Sequence, residues 1–140
     1  MRDITSIVVH HSASPETTSR ETIERWHKDR GFSQIGYHFY IYRTTHKGPR
    51  ITGGRPVEIM GAHAKGFNDG SIGICLAGDY TKSEPAADMW DHLLTICRLM
   101  MQRYNLTVDD IYGHGQVGST ATACPGYSVE KLRADLAPTL

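Results

Sequence analysis

No charge of one sign dominates this chain. Its 15 Lys and Arg balance 15 Asp and Glu, giving a formal net charge of zero at pH 7. With no basic stripe and no long like-charge run, there is no electrostatic footprint for nucleic acid, and none is expected as a partner. Long apolar runs are missing too. The longest span a few residues, far short of the ~20 that cross a bilayer, so no membrane insertion is expected. The opening residues Met1-Arg2-Asp3-Ile4-Thr5 lack the apolar stretch of a secretory signal, which leads to the expectation of synthesis in the cytoplasm. Cysteine is scarce and odd in number: three residues argue against a disulfide framework. Cys75, in an apolar strand-like run, and Cys97, on the apolar face of a helix, read as small buried hydrophobes. Only Cys124 lies in polar, glycine-rich surroundings. No repeat, low-complexity tract or linker interrupts the 140 residues, a length that suits one domain, 1–140, around one core. The expected form is a monomer.

What is present is regular. Ile4–His11 contains the β-branched run Ile7-Val8-Val9 and reads as a buried strand ending in two histidines. Thr18 with Glu21 three residues on forms a capping-box pattern for a helix that turns Ile23, Trp26 and His27 inward and stops at Gly31. Gly36–Arg43 is aromatic and β-prone. Lys47-Gly48-Pro49 is a turn that lets Arg50-Ile51-Thr52 pair back as a hairpin, and Pro56–Met60 suggests a short edge strand. Lys65–Gly70 is a polar loop, and Ser71–Ala77 is another buried strand. Ala86, Trp90, Leu93, Leu94, Cys97, Met100, Met101 and Tyr104 recur at helical spacing along the longest amphipathic helix. Ile111–His114 is a short strand, Gly115–Gly126 a loop of small residues, and Ser128 caps a last helix carrying Val129, Leu132 and Leu136. This order predicts an α/β fold with one mixed sheet and helices packed on its faces.

Metal chemistry is the sharpest functional expectation. Two imidazoles and a thiolate fill three corners of a tetrahedron around zinc and leave the fourth for water, as catalytic zinc requires. The candidates are the histidine pair ending the first strand, His114 at the end of another, and Cys124 across the loop. Successive strand residues point to opposite faces, so only one of His10 and His11 can share a face with the site, and alternation does not say which. A histidine taken singly is more often a hydrogen-bonder than a ligand, and a His-x9-Cys spacing is wider than the usual zinc-finger pairs.

Several stretches together resemble one family. Val8-Val9-His10-His11-Ser12-Ala13-Ser14 resembles the first-ligand motif of the zinc-dependent N-acetylmuramoyl-L-alanine amidases, a superfamily that includes peptidoglycan recognition proteins and short phage endolysins. Trp26–Phe32 followed by Ile35-Gly36-Tyr37-His38-Phe39 looks like the phage lysozyme-type branch. Gly61–Asn68 with Ser71-Ile72-Gly73 is similar to its central motif, and His114-Gly115-Gln116-Val117 with Ala123-Cys124-Pro125-Gly126 to its closing one. The resemblance runs from about residue 6 to the last helix.

The resemblance implies a mainly parallel, mixed sheet of five or six strands flanked by about three helices. It also implies one zinc ion on His10, His114 and Cys124, and cleavage of the amide between the lactyl group of N-acetylmuramic acid and L-alanine. Tyr37 matches the active-site tyrosine. Thr122 stands where relatives carry a catalytic lysine or threonine, but the His114–Cys124 loop is two residues longer than usual, around Gly118-Ser119-Thr120, so Thr120 competes for that role. His63 lies among small residues that leave room for a ligand, and either contacts the muramyl-peptide or plays a structural role, which includes supporting a metal ligand from behind. Lys65, Asn68 and Arg43 are candidates for binding the acidic stem peptide of peptidoglycan. Arg55 is a further candidate for that role, although solvated surface charge is the weightier reading for it than for Lys65. His11, His27 and His38 read as structural, and Trp26 and Trp90 as core. An endolysin of this kind reaches the wall through holin-made lesions. Three alternatives remain: a peptidoglycan-binding module without catalysis, a structural zinc domain with Asp110 or His63 as fourth ligand, and a cytosolic enzyme recycling muropeptides.

Overall fold

The computed structural model describes residues 2–138; the outermost residues of the expected 1–140 unit lie outside that span. Strand β1 (Ser6–His11) leads to helix α1 (Arg20–Asp29), the hairpin β2 (Phe39–Thr44) and β3 (Gly48–Gly53), and strand β4 (Ser71–Leu76). The long helix α2 (Ala87–Tyr104), strand β5 (Ile111–Gly113) and helix α3 (Val129–Leu136) complete the order. The five strands form one sheet ordered β3-β2-β4-β1-β5, in which only the β2–β3 pair is antiparallel. This is the mixed, mainly parallel sheet with three helices that the sequence led one to expect.

β1 and β4 are buried along their whole length because they occupy the middle of the sheet with both faces covered. Ile7, Val9, Ile72 and Ile74 are fully buried, each contributing about 1.5–3 kcal/mol of apolar transfer. Register then sets the functional face. His10 pairs with Cys75, which pairs with Tyr40, while the neighbouring row is His11, Leu76 and Ile41. The two rows face opposite ways. His11 accepts a hydrogen bond from the Tyr80 amide at its Nδ1 (3.1 Å), and the Tyr80 ring meets Tyr127, which meets Trp90 of α2. His10 points the other way, towards Tyr37 and His63.

Five expectations need correction. The hairpin turn occupies residues 45–47, and Gly48 and Pro49, expected in the turn, already pair with β2 within β3. Ser19, not Thr18, caps α1: its hydroxyl accepts from the Thr22 amide at 3.1 Å, while Thr18 donates to Pro15 O. Trp26 is not core but 41% exposed. The inward stripe of α1 is Ile23 and His27, four residues apart, and Trp26 falls about 100° round the helix from His27. Pro56–Met60 forms a turn closed by Ile59 N to Pro56 O, not a strand. Arg55 holds it in place through bonds to the Ile35 and Met60 carbonyls. Regular pairing of β2 begins at Phe39, so Tyr37 lies just ahead of the strand. Elsewhere the pattern is kept. α2 ends at Asn105, whose φ of 56° is a left-handed cap, and the Ser128 hydroxyl caps α3 by accepting from Lys131 N. Cys75, Cys97 and Trp90 are buried as expected.

Candidate functional site

Three segments converge at the C-terminal end of β1. β1 delivers His10, β5 runs directly into a 3-10 turn that starts at His114, and the following loop returns with Cys124. Gly115 makes that return possible. Its amide donates to Cys124 O at 2.8 Å, and a Cβ there would stand 2.6 Å from Thr122 O, so a side chain would push the loop away from the turn. The middle of the loop is tied down as well, with Ser119 donating from both N and Oγ to Lys65 O.

One donor atom from each of His10, His114 and Cys124 lies within 4.8 Å of the others. The His10 and His114 ring centroids are 4.7 Å apart, and His10 Nδ1 is 3.8 Å from Cys124 Sγ. A tetrahedral zinc with bonds of about 2.0–2.1 Å to nitrogen and 2.3 Å to sulfur separates N and S ligands by roughly 3.6 Å, so these residues fit the ion in donor type and spacing. Among the described residues no fourth His, Cys, Asp or Glu joins the group. Asp110 is committed to the Thr107 amide, and His63 Nδ1 faces His10 Nε2 at 2.9 Å.

The electrostatics suit a cation. Burial, reinforced by His63, holds the His10 pKa well below the ordinary imidazole value, and burial lowers that of His114. Both rings are therefore neutral at neutral pH, as metal ligation requires. Burial pushes the Cys124 thiol up to about 11, opposed by the hydrogen bond that the His11 amide donates to its sulfur at 3.3 Å. A divalent cation reverses that balance by stabilising the thiolate.

The three side chains open onto a cavity of about 500 Å³, within the range of small-molecule sites. Tyr37, His63, Lys65, Asn68, Thr120 and Thr122 all line it. Tyr37 is half-buried, its ring 5.0 Å from that of His10 and 5.2 Å from that of His27. Burial raises its pKa well above that of a free phenol, so it stays a proton donor at neutral pH. Thr122 Oγ1 accepts from Cys124 N at 3.1 Å, which leaves its proton available to another acceptor. Asn68 shapes the wall: its Oδ1 accepts from the amides of His63 and Ala64.

Arg43 is not at the site. Its guanidinium is held by Glu16 and, through two bonds, by Asp88, far round the sheet from the cavity. Sequence reading missed Arg30 and Phe32, which line the cavity with the Arg30 guanidinium 5.1 Å from the Phe32 ring centre. They sit in the Trp26–Phe32 stretch that carried part of the family resemblance, but a charged residue beside a helix-ending glycine reads as solvated surface. His27 lines the cavity too. Its Nδ1 accepts from Gly36 N at 2.8 Å, and burial lowers its pKa to about 4, consistent with a neutral structural residue. His38 likewise accepts at Nδ1 from Gly73 N.

Comparison with known proteins agrees with this geometry. Residues 1–127 match the family model described as N-acetylmuramoyl-L-alanine amidase. The endolysin of Klebsiella phage KP32 is 31% identical over 136 residues, covering 93% of this chain and 85% of that protein. Among solved structures, N-acetylmuramoyl-L-alanine amidase LysC from Clostridium intestinale superposes with a TM-score of 0.84 at 34% identity, covering 96% of this chain and 86% of that one. A Drosophila PGRP-LB variant in complex with tracheal cytotoxin gives a TM-score of 0.75 at 27% identity, covering 90% and 77%. With His10, His114 and Cys124 gathered at the C-terminal end of β1 and most of its length matched, the chain belongs to the N-acetylmuramoyl-L-alanine amidase family, close to the phage endolysins.

Proposed function

We propose that the protein is a zinc-dependent endolysin that hydrolyses the amide between the lactyl group of N-acetylmuramic acid and L-alanine in peptidoglycan. The observation that carries this reading is the convergence of two neutral imidazoles and one thiol on an open cavity, with three protein donors and no fourth among the described residues. When bound, zinc supplies the Lewis acidity that lowers the pKa of water towards about 7 and polarises the scissile carbonyl. The Cys124 thiolate offsets one of its two positive charges.

The remaining work falls to the chain. The Tyr37 phenol, beside His10 and kept protonated by burial, orients the attacking water and assists proton transfer. Thr122 donates its free hydroxyl proton to the oxygen that becomes negative as the carbonyl turns tetrahedral, a contribution of about 2.7–4 kcal/mol where such donors have been removed. Lys65 and Arg30 place positive charge on the rim, where the carboxylates of a stem peptide would lie, and Arg30 has no ion-pair partner among the described residues. Asn68 keeps the wall in shape and leaves its NH2 for the peptide. The endolysin relatives support action on the cell wall; release through holin-type lesions belongs to the same reading.

Digestion of purified peptidoglycan is the test. New alanine amino termini without new reducing sugar ends, abolished by a chelator and restored by zinc, are expected. New reducing ends would mean glycosidase chemistry and defeat the proposal. Binding without either product would favour the recognition-module reading.

A further inference from the structure

His63 is nine-tenths buried, and the catalytic reading above gives it no task. Its surroundings are built to hold it. A Cβ at Gly73 would lie 2.5 Å from His63 Cγ, and one at Gly61 would lie 2.7 Å from His63 Cδ2. The imidazole therefore occupies a slot that exists only because glycine stands on both sides. In that slot His63 Nδ1 is 2.9 Å from His10 Nε2, and His63 Nε2 is 3.2 Å from Ser71 Oγ. Ser71 is itself fully buried, and its hydroxyl lies 2.7 Å from Phe67 O.

The direction of this chain of bonds follows from its far end. A backbone carbonyl only accepts, so the single proton of Ser71 goes to Phe67 O. Ser71 can then only accept from His63, which puts the His63 proton on Nε2 and leaves Nδ1 as an acceptor. His63 Nδ1 must in turn receive the proton of His10 Nε2. That leaves the lone pair of His10 on Nδ1, the atom 3.8 Å from Cys124 Sγ. The opposite order would put a proton on His10 Nδ1 and close that nitrogen to any metal.

We propose that His63 and Ser71 form a positioning relay that sets the tautomer and ring orientation of His10, so that its Nδ1 faces the metal site ready to coordinate. His63 is on this account a positioning residue, neither a ligand nor a substrate contact. The inference rests on the zinc reading above. Partners of this kind, behind a ligating histidine, typically account for ~10–100-fold in metal affinity.

The test is zinc titration of metal-free wild type, His63→Leu, His63→Asn and Ser71→Ala, by chelator competition. Long-range 1H–15N spectra of the imidazoles in the zinc-loaded proteins accompany it. The asparagine carbonyl can replace Nδ1 as acceptor, whereas leucine fills the slot without one. His63→Leu should bind zinc about 10–100-fold more weakly. His63→Asn should stay within about threefold of wild type, and Ser71→Ala should fall between them, in keeping with the size of one relay hydrogen bond. The wild-type spectrum should show His10 protonated at Nε2. Wild-type affinity in His63→Leu, with any loss confined to KM, would make His63 a substrate contact and overturn the relay. Equal weakening in His63→Leu and His63→Asn would show that ring packing, not the hydrogen bond, matters, and would also overturn it. Should His63→Leu fail to fold, the His10 tautomer in wild type and the Ser71→Ala affinity decide. If wild type itself binds no zinc, the metal reading falls first, a result distinct from all of these.

Discussion

Metal uptake should release one proton per zinc from the protein at neutral pH, in addition to any from zinc-bound water, and the protein's share follows from three side chains. In the metal-free protein burial pushes the Cys124 thiol to about 11, so at pH 7 only ~1 in 10,000 molecules carries the thiolate that zinc needs. His10 and His114 both titrate below the ordinary imidazole value and are already deprotonated at pH 7. They contribute no protons. The apparent affinity should therefore rise at least tenfold for each pH unit from about 7 towards 11, and fall about tenfold per unit on acidification until the imidazoles begin to protonate and the slope steepens. Across four units, holding the thiol proton at pH 7 costs about 5 kcal/mol of intrinsic affinity at 1.36 kcal/mol per unit. Calorimetric titration of zinc at pH 7 in buffers of different ionisation enthalpy reads the number directly. A value between one and two is expected, one proton from the thiol and a fraction from zinc-bound water whose pKa lies near 7. A value above two would mean that an imidazole is charged in the free protein. Zero would mean that the thiol is already ionised or that Cys124 is not a ligand, and either result refutes the reasoning.

Three further outcomes can be checked with standard assays. Tyr37→Phe should lower kcat by about 10²–10³-fold while zinc content stays at one per chain, because the phenol serves the reaction and not the metal; loss of zinc in this variant would contradict its assignment. Thr122→Ala should reduce kcat more than Thr120→Ala, since Thr122 is fixed two residues from Cys124 by its bond to that amide; the reverse order in steady-state rates would move the role to the longer loop. Ser19→Ala removes the cap of α1 and should cost about 1 kcal/mol, or ~3 °C in the thermal midpoint for a chain of this size, without altering activity.

Much of this architecture was legible because it rests on local rules. The β-branched run of β1 and the 3.6-residue period of α2 each announce an element that tertiary packing then keeps. Errors arose where long-range partners override local signals. Arg43 looked like a free carboxylate binder because Glu16 and Asp88, 27 and 45 residues away, are invisible as its partners in sequence. Pro56–Met60 had strand-like composition, but Arg55 holds it as a turn. Trp26 was assigned inward by hydrophobicity, whereas its angle from the Ile23–His27 stripe turns it outward. At the site, alternation along β1 left His10 and His11 equivalent, and only the register of β1 with β4, together with Tyr80, separates them. The relay behind His10 spans 61 residues, from His10 through His63 to Ser71, and no spacing rule reveals it. Arg30 escaped notice for the opposite reason, since its exposed, charged character is what a surface residue also shows.

The central claim is that His10, His114 and Cys124 hold one zinc with an open coordination position, and X-ray absorption at the zinc edge of the purified, zinc-loaded protein tests it most directly. The account predicts one sulfur at about 2.3 Å and two imidazole nitrogens at about 2.0–2.1 Å, with a single light atom completing the shell. The sulfur should vanish in Cys124→Ser. Two or more sulfurs, or a spectrum unchanged in that variant, would contradict it.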